Sequence, residues 1–342
     1  MTKKRISIGL IGAGSIGSLF GAYLAKIQKD KSLQNEVEIS MSFFCRSAHA
    51  NKINKRGLKL ETKEGIEIVP GIKAYTTPQD FLNSVERNHT SSESNSLLFD
   101  YLFLTTKCYD IKSAINQYKA IINRTNWFII LQNGIGNEEI VHNLVPKIKI
   151  IRMITTNGAL LEKPGHVVHT GEGITKLGVP KLNSGYSEAS KVLDHLQGML
   201  QKAGLKSKIV DNINKECWEK VFINIGINAF GALTQLRNGE LLDIKGIKQL
   251  MKRAIEEAKK IASRKNISLT EKNFAELTFD VARKTATNLN SMLQDINKGN
   301  PTEIDFMNGR IVTYADDLGV EVPVNKTLTY LIKGLEYSYL NK

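Results

Sequence analysis

The chain has 342 residues, of which 42% are hydrophobic and 24% are charged, and its formal net charge is +13. This length suits two domains, and the composition is that of an ordinary soluble globular protein. No apolar run reaches the length that a helix needs to cross a bilayer. The short basic N-terminus runs directly into a strand-and-glycine pattern without a cleavage site, so we expect a cytoplasmic protein.

The positive charge is distributed over the whole chain rather than gathered on one helix or tail. Aromatic residues do not alternate with the basic ones, as a base-stacking platform would require, so we expect no nucleic-acid partner. We interpret the charge as a solvated surface that attracts small anions. The three cysteines form no CxxC pair, and His166 and His169 point to opposite faces of a predicted strand, so we also expect no metal site.

The first predicted elements are a strand, a tight turn and a helix. The apolar stretch "RISIGLI" is followed by a GxGxxG motif, formed by Gly12, Ala13, Gly14, Ser15, Ile16 and Gly17, and then by helical periodicity. In this motif the first glycine permits the turn, the second lets a pyrophosphate approach the backbone, and the third lets the helix pack closely on the strand. The helix N-terminus offers unpaired N–H groups to the phosphates. The pattern predicts dinucleotide binding.

The second predicted strand, "EVEISMSFFCR", follows a polar insertion at residues 28–36 and ends at Arg46. An NAD-selective site usually has an acidic residue at this position, where it holds the ribose hydroxyls. A guanidinium group instead suits the 2′-phosphate of NADP, by charge and by bidentate geometry. We therefore predict NADPH/NADP+ as the cofactor, with a solvated loop arginine as the alternative.

Two further buried strands, "DYLFLTTK" and "NWFIILQNG", end in polar residues. Lys107 follows the first of them and Asn133 follows the second, with a helical pattern between the strands. Ligands bind outside the carboxyl ends of strands in doubly wound sheets, so both side chains are candidates for cofactor or substrate contacts; each can equally form a loop. The serine-rich segment at residues 84–96 is interpreted as an exposed, mobile loop.

The alternation of strands and helices favours an α/β fold with a parallel, doubly wound, Rossmann-type sheet at the N-terminal end. Strand signals continue from Ile150 to Val210, interrupted by a helix near residues 187–203, and vanish after about Asp211. We therefore predict a dinucleotide-binding domain at residues 1–210 and an all-helical domain at residues 211–342. The amphipathic C-terminal helices are compatible with a homodimer.

One predicted helix, "WEKVFINIGIN", carries Lys220, Asn224 and Asn228 at intervals of four in an otherwise apolar run. The three positions drift by only about 80° over two helical turns and so share one face. Buried amides and ammonium groups need partners. Two interpretations stay open, namely a helix edge that touches solvent and the wall of an active site.

The chain resembles the ketopantoate reductases (2-dehydropantoate 2-reductases) over nearly its full length. The resemblance is carried by "GLIGAGSIG", "FFCRS", "TTKCYD", "LQNGIGNEE", "WEKVFINIGINAFGALT" and "NSMLQDINKGNPTEIDFMNG". The last three are the specific ones, because a GxGxxG motif alone occurs in many enzymes. The resemblance implies an N-terminal Rossmann domain and a C-terminal helical domain.

The resemblance also implies roles for individual residues. Lys220 is expected to be the general acid that protonates the ketone oxygen, and Glu303 to anchor a substrate hydroxyl and orient the lysine. The remaining positions fall into two groups: substrate contacts at Asn133, Asn224, Asn228 and Ser291, and cofactor contacts at Lys107, Asn133 and Glu303 besides the glycine motif and Arg46.

The function expected from the resemblance is NADPH-dependent reduction of 2-dehydropantoate to pantoate, a step of pantothenate and coenzyme A biosynthesis. A lysine at the ketone oxygen is suited to this chemistry, because reduction builds negative charge there. Three alternatives stay open: a reductase of another 2-oxo acid, a β-hydroxyacid dehydrogenase, and a non-catalytic NADPH-binding regulator.

Overall fold

The computed structural model describes residues 4–27, 37–87, 96–181 and 187–341. The insertion at 28–36 and most of the predicted mobile loop, residues 88–95, lie outside the described residues. The chain divides into two compact units. The first contains the residues up to Gln132 and Glu138–Ile213, and the second contains Asn133–Asn137 and the residues from Asn214 onward.

The first unit holds the strands of the fold. In chain order they are β1 (Lys4–Ile11), β2 (Val37–Phe44), β3 (Leu58–Thr62), β4 (Gly65–Val69), β5 (Ile72–Tyr75), β6 (Phe99–Leu104), β7 (Thr125–Ile130), β8 (Lys149–Thr155), β9 (Gly158–Lys163), β10 (His166–Gly171), β11 (Thr175–Gly178) and β12 (Ser207–Ile209). Eight of them form one sheet in the order β12-β11-β8-β7-β6-β1-β2-β5. Every neighbouring pair is parallel except β8 and β11. The predicted Rossmann-type sheet is therefore confirmed.

A second, four-stranded sheet in the order β4-β3-β10-β9 is absent from the sequence-based prediction. Strands β3 and β10 pair in parallel, although more than a hundred residues separate them. Hairpin pairing of neighbours joins β3 to β4 and β9 to β10. Local hydrophobic periodicity predicts each strand but carries no information about such a distant partner.

The helices that surround these sheets, and those that follow them, are α1 (Ser15–Lys26), α2 (Ser47–Arg56), α3 (Pro78–Glu86), α4 (Ile111–Gln117), α5 (Lys119–Ile122), α6 (Asn137–Leu144), α7 (Ala189–Lys202), α8 (Ile213–Thr234), α9 (Lys245–Arg264), α10 (Phe274–Lys284), α11 (Ser291–Asn297), α12 (Asn308–Leu318) and α13 (Pro323–Leu340). The helical pattern predicted after Asp110 is divided between α4 and α5. Tyr118 ends α4 and contacts Phe44, with the ring centroids 5.1 Å apart.

Close packing of α1 against the sheet depends on a residue without a side chain. A Cβ atom at Gly21 would lie 2.2 Å from the ring of Phe43 on β2. The neighbouring apolar residues of α1, Leu19, Phe20 and Leu24, are fully buried in the same core. Burial of each such side chain stabilises the fold by about 1.5–3 kcal/mol. This packing sets where the helix begins relative to the end of β1.

The second unit is helical in the part of the chain that the structure describes, as predicted. Helix α9 shows why: its buried residues, Met251, Ala254, Ile255, Ala258, Ile261 and Ala262, recur at intervals of three and four and form one apolar stripe. Within the described ranges, no helix combines the length and the hydropathy that a membrane crossing requires.

Candidate active site

The GxGxxG turn has the geometry that its glycines require. Gly12 has a φ of +78°, and a Cβ atom there would lie 2.4 Å from Thr106. A Cβ at Gly17 would lie 2.4 Å from Thr105, so α1 reaches the strand ends only because this residue is glycine. At Gly14 a Cβ would meet only a backbone oxygen, at 3.8 Å. The backbone at Gly14 is thus open to a ligand, and the residues present fit a pyrophosphate at the start of α1.

The turn is fixed by hydrogen bonds to its neighbours. The backbone N–H groups of Gly12 and Ala13 donate to the carbonyl oxygen of Phe44, at 2.9 and 3.2 Å. Ser15 Oγ accepts the backbone N–H of Leu161 at 3.0 Å, which ties the start of α1 to β9. Ile16 packs against the core of the unit. These contacts hold the motif residues in place.

A buried histidine, His49, stabilises the GxGxxG turn through hydrogen bonds. His49 Nδ1 accepts the backbone N–H of Gly165 at 2.8 Å, so the ring proton lies on Nε2, which is 3.0 Å from Ser18 Oγ. The Ser18 hydroxyl in turn donates to the carbonyl oxygen of Ala13 at 3.1 Å. Burial lowers the pKa of His49 from 6.5 to about 4. The neutral ring is therefore the form that joins α1, α2 and the second sheet.

This arrangement predicts an acid-sensitive cofactor turn. Because the pKa of His49 is lower in the folded chain than in the unfolded chain, its contribution to stability is present above pH 6.5 and is lost as the pH falls through about 4. We expect the free energy of unfolding to fall by about 3 kcal/mol more over this range in the unsubstituted chain than in His49→Gln. Urea unfolding at pH 7 and pH 4 measures the difference, and equal losses in the two chains would contradict it.

Arg46 lies where the sequence predicts a cofactor-phosphate contact. It is exposed, follows the end of β2 and precedes the first residue of α2, with an extended backbone. Its guanidinium lies within electrostatic range of Asp110: burial raises the pKa of that carboxyl, and Arg46 opposes the rise. Lys107 is half-buried and precedes the 3₁₀ turn that ends at Asp110. Both predicted cofactor contacts thus lie at the carboxyl ends of strands.

Two residues that the sequence analysis missed, Arg152 and Gln132, connect the carboxyl ends of neighbouring strands in the larger sheet. Arg152 on β8 is 0% exposed, and its guanidinium donates to the carbonyl oxygens of Ile130 at 3.0 Å and Gln132 at 2.7 Å. The Gln132 side chain donates to Thr106 O at 2.8 Å, with Lys107 O at 3.3 Å. These bonds connect the ends of β6, β7 and β8. A charged residue inside the apolar run "KIIRMIT" was the available signal.

A second cluster lies in the helical unit and begins with the loop 133–137. Lys220 Nζ on α8 donates to Asn133 Oδ1 at 2.7 Å. The carbonyl oxygen of Asn133 accepts from Asn137 Nδ2 at 2.7 Å, which closes the loop. Ile135 N–H donates to Phe306 O at 3.1 Å. The predicted acid and the predicted amide are therefore brought together, and the loop that carries the amide is attached to the segment after Glu303.

The remaining candidates lie on α8, at the start of α11 and in the segment that precedes α12. Lys220 and Asn224 are half-buried, whereas Asn228 is 5% exposed. Asn228 Nδ2 contacts Ser291 Oγ at 3.5 Å; Ser291 is exposed and begins α11. Glu303 is 6% exposed and precedes the 3₁₀ turn Ile304–Phe306. The stripe on α8 thus runs from a half-buried ammonium group to a buried amide with polar partners.

Comparisons with known proteins point to one family along nearly the whole chain. Residues 8–181 match the family model "Ketopantoate reductase PanE/ApbA", and residues 212–336 match "Ketopantoate reductase PanE/ApbA C terminal". The chain is 34% identical over 339 residues to the 2-dehydropantoate 2-reductase of Pyrococcus horikoshii, covering 97% of this chain and 98% of that protein. It is 30% identical over 339 residues to the enzyme of the same name from Archaeoglobus fulgidus, covering 98% and 99%.

Solved structures show the same fold. A PanE/ApbA family ketopantoate reductase from Ralstonia eutropha superposes with a TM-score of 0.81 and 25% identity, covering 98% of this chain and 100% of that one. The ternary structure of D-mandelate dehydrogenase with NADH and anilino(oxo)acetate superposes with a TM-score of 0.80 and 24% identity, covering 98% and 99%. At that identity the second match supports the fold alone.

A Rossmann-type sheet with an open glycine turn, accompanied by a helical unit with a lysine and amides, defines an oxidoreductase that uses a nicotinamide dinucleotide. The chain belongs to the ketopantoate reductase family. The predictions of the family, of an enzyme and of a nicotinamide cofactor are therefore confirmed.

Proposed function

We propose that the protein catalyses NADPH-dependent reduction of 2-dehydropantoate to pantoate, the step that pantothenate and coenzyme A biosynthesis requires. Residues 1–210 would bind the cofactor, and residues 211–342 would bind the substrate and supply the proton. The observation that carries the proposal is the 2.7 Å hydrogen bond between Lys220 and Asn133. Lys220 lies on α8, which also carries Asn224 and Asn228. The names of the curated relatives supply the substrate.

Lys220 is proposed as the general acid. Negative charge develops on the ketone oxygen during reduction, and an ammonium group at that oxygen stabilises the charge and delivers a proton. Asn133 Oδ1 accepts one of the three N–H bonds of Lys220 and so orients the group. The reduced nicotinamide supplies the hydride when bound.

The other polar residues of the helical unit suit the functional groups of the substrate. Pantoate and its ketone carry hydroxyl, carbonyl and carboxylate groups, which pair with amides, hydroxyls and a carboxylate. We assign Asn224 and Asn228 to the hydroxyl and carbonyl groups, Ser291 to the carboxylate, and Glu303 to a substrate hydroxyl. The contact between Asn228 and Ser291 supports a shared role for these two residues.

NADPH is proposed over NADH because Arg46 occupies the end of β2. Arg46→Ala is expected to lower kcat/KM for NADPH by about 10–100-fold, the usual scale for a charge-assisted hydrogen bond, and to leave kcat/KM for NADH nearly unchanged. Arg56→Ala, at the other exposed end of α2, is the matched control. Equal losses with the two cofactors, or no loss, would contradict the assignment of Arg46 to the 2′-phosphate.

The test of the proposed function is the loss of NADPH absorbance with 2-dehydropantoate, run beside NADH and a panel of 2-oxo acids that includes an aromatic one. Rapid oxidation with NADPH and 2-dehydropantoate alone is the expected result. Turnover of another 2-oxo acid would change the assigned substrate. Reduction of a 3-oxo acid to a 3-hydroxy acid, in a parallel assay, would indicate a β-hydroxyacid dehydrogenase. NADPH binding without turnover would indicate a regulator. Light scattering tests the homodimer with which the amphipathic C-terminal helices are compatible.

A further inference from the structure

The last helix, α13, holds the turn that carries Glu303. Three side chains spaced three residues apart on α13 contact the segment 300–305. Lys333 Nζ binds Asp305 Oδ2 at 2.6 Å, Glu336 Oε1 accepts the backbone N–H of Thr302 at 2.6 Å, and Tyr339 donates to Asn300 O at 2.8 Å. Residues at i, i+3 and i+6 lie along one side of a helix. One side of α13 is thus fitted to this segment.

The contact of Glu336 differs from the other two because it is buried. Glu336 is 9% exposed and Thr302 is 5% exposed, whereas Lys333 and Asp305 are about half exposed. A carboxylate that accepts a backbone N–H makes a stronger hydrogen bond than a neutral acceptor, and burial removes the competition from water. If this carboxylate were removed, the buried Thr302 N–H would lose its hydrogen-bond acceptor. The bond therefore fixes the backbone immediately before Glu303.

The same turn is connected to the loop that carries Asn133. Ile304 N–H donates to Thr302 Oγ1 at 3.3 Å, and Phe306 N–H donates to Glu303 O at 3.0 Å. Phe306 O then accepts the N–H of Ile135. A Cβ atom at Gly134 would lie 2.5 Å from that oxygen, so the loop lies directly against the turn. A shift of the Thr302 backbone would therefore displace both Glu303 and the partner of Lys220.

We propose that Glu336 is a positioning residue of the reductase, which acts through the Thr302 N–H to place Glu303 for the substrate. The proposal rests on the proposed function, in which Glu303 contacts substrate. Glu336 itself contacts neither substrate nor cofactor in this role. Its effect is on the geometry of a group that must be held within a fraction of an ångström for efficient turnover.

The test is a double-mutant cycle in the full-length enzyme. Glu336→Ala is expected to lower kcat for 2-dehydropantoate by about 10–100-fold, the scale of a small misplacement, with little change in KM for NADPH. Glu336→Gln keeps an acceptor oxygen and should restore most of the turnover. In a chain that already carries Glu303→Gln, adding Glu336→Ala should slow turnover by less than about twofold, because the two residues act as one unit.

A control is available in the other unit. Asp100 Oδ2 accepts the backbone N–H of Ser7 at 2.7 Å, so it also stabilises the fold through a carboxylate, but it belongs to the first unit, whereas the turn of Glu303 belongs to the second. Asp100→Ala should lower the thermal unfolding temperature, and any effect on kcat should multiply with that of Glu303→Gln. Should Glu336→Ala fail to fold, Glu336→Asp, which shortens the side chain, replaces it in the cycle.

The outcomes separate this proposal from the proposed function. Multiplicative effects of Glu336→Ala and Glu303→Gln, or near-normal turnover by folded Glu336→Ala, would overturn the positioning role alone. Absence of turnover by the unsubstituted enzyme would contradict the proposed function instead. In that case deuterium exchange still tests the contact: Glu336→Ala should speed exchange in residues 300–307 and not in α9, and unchanged exchange would overturn it.

Discussion

Replacing Lys220 with alanine is expected to lower kcat by about 10²–10⁴, the usual scale for the loss of a positioned acid, while the affinity for NADPH stays unchanged. In the proposed mechanism, the variant removes the proton donor and the positive charge at the ketone oxygen. It leaves the glycine turn, Arg46 and Lys107 intact, because these belong to the other unit. Steady-state kinetics gives kcat, and the fluorescence of bound NADPH gives the affinity separately.

Two variants sharpen this test. Asn133→Ala keeps the lysine but removes the acceptor that orients it, so we expect a smaller loss of kcat, of about tenfold. Lys259→Ala removes an exposed lysine from α9 in the same unit and should leave kcat unchanged. Near-normal turnover by folded Lys220→Ala would show that another group donates the proton.

Arg152→Met is expected to lower the free energy of unfolding by about 3–5 kcal/mol, the scale for breaking a buried ion pair by removing one partner. The substitution leaves Glu138 buried, at a site where Arg152 Nε lies 3.6 Å from its carboxylate. It also removes the donors to Ile130 O and Gln132 O. Urea unfolding monitored by circular dichroism measures the loss.

The controls for Arg152 follow from the same network. Arg124 also donates to a backbone carbonyl, that of Ser96, but at an exposed site, so Arg124→Met should cost less than about 1 kcal/mol. Adding Glu138→Gln to Arg152→Met removes the unpaired charge and should recover part of the loss. A loss for Arg152→Met no greater than that for Arg124→Met would mean that the guanidinium does not support the strand ends.

The sequence predicts where the strands and helices lie better than it predicts which strands pair. The glycine motif, the strands that end before Arg46, Lys107 and Asn133, and the helical second unit are all encoded in local periodicity and turn chemistry. The four-stranded sheet is not, because the pairing of β3 with β10 depends on residues brought together by the larger sheet. Periodicity also predicted one helix where Tyr118 divides α4 from α5, since tertiary packing of an aromatic ring overrides local preference.

The candidate site shows the same division. Lys220, Asn224 and Asn228 could be selected from sequence because they share a helical face, and Lys107 and Asn133 because they follow buried strands. The position of Arg152 inside an apolar run was a signal, but it did not indicate its partners. Gln132, His49 and Glu336 could not be selected, because each acts on backbone groups that are distant along the chain. A side chain that binds a carbonyl oxygen or an N–H group depends on backbone position and not on the identity of its partner residue. No local motif therefore indicates it.

The assignment of residues 133–137 to the helical unit has a consequence for engineering the family. One family model matches residues 8–181 and the other matches residues 212–336, which suggests two exchangeable modules joined between residues 181 and 212. A chimera joined at that division would combine the pentapeptide of one parent with the Phe306 turn and the Lys220 helix of the other. Functional recombination should therefore require transplanting the pentapeptide together with the C-terminal half, as one discontinuous module.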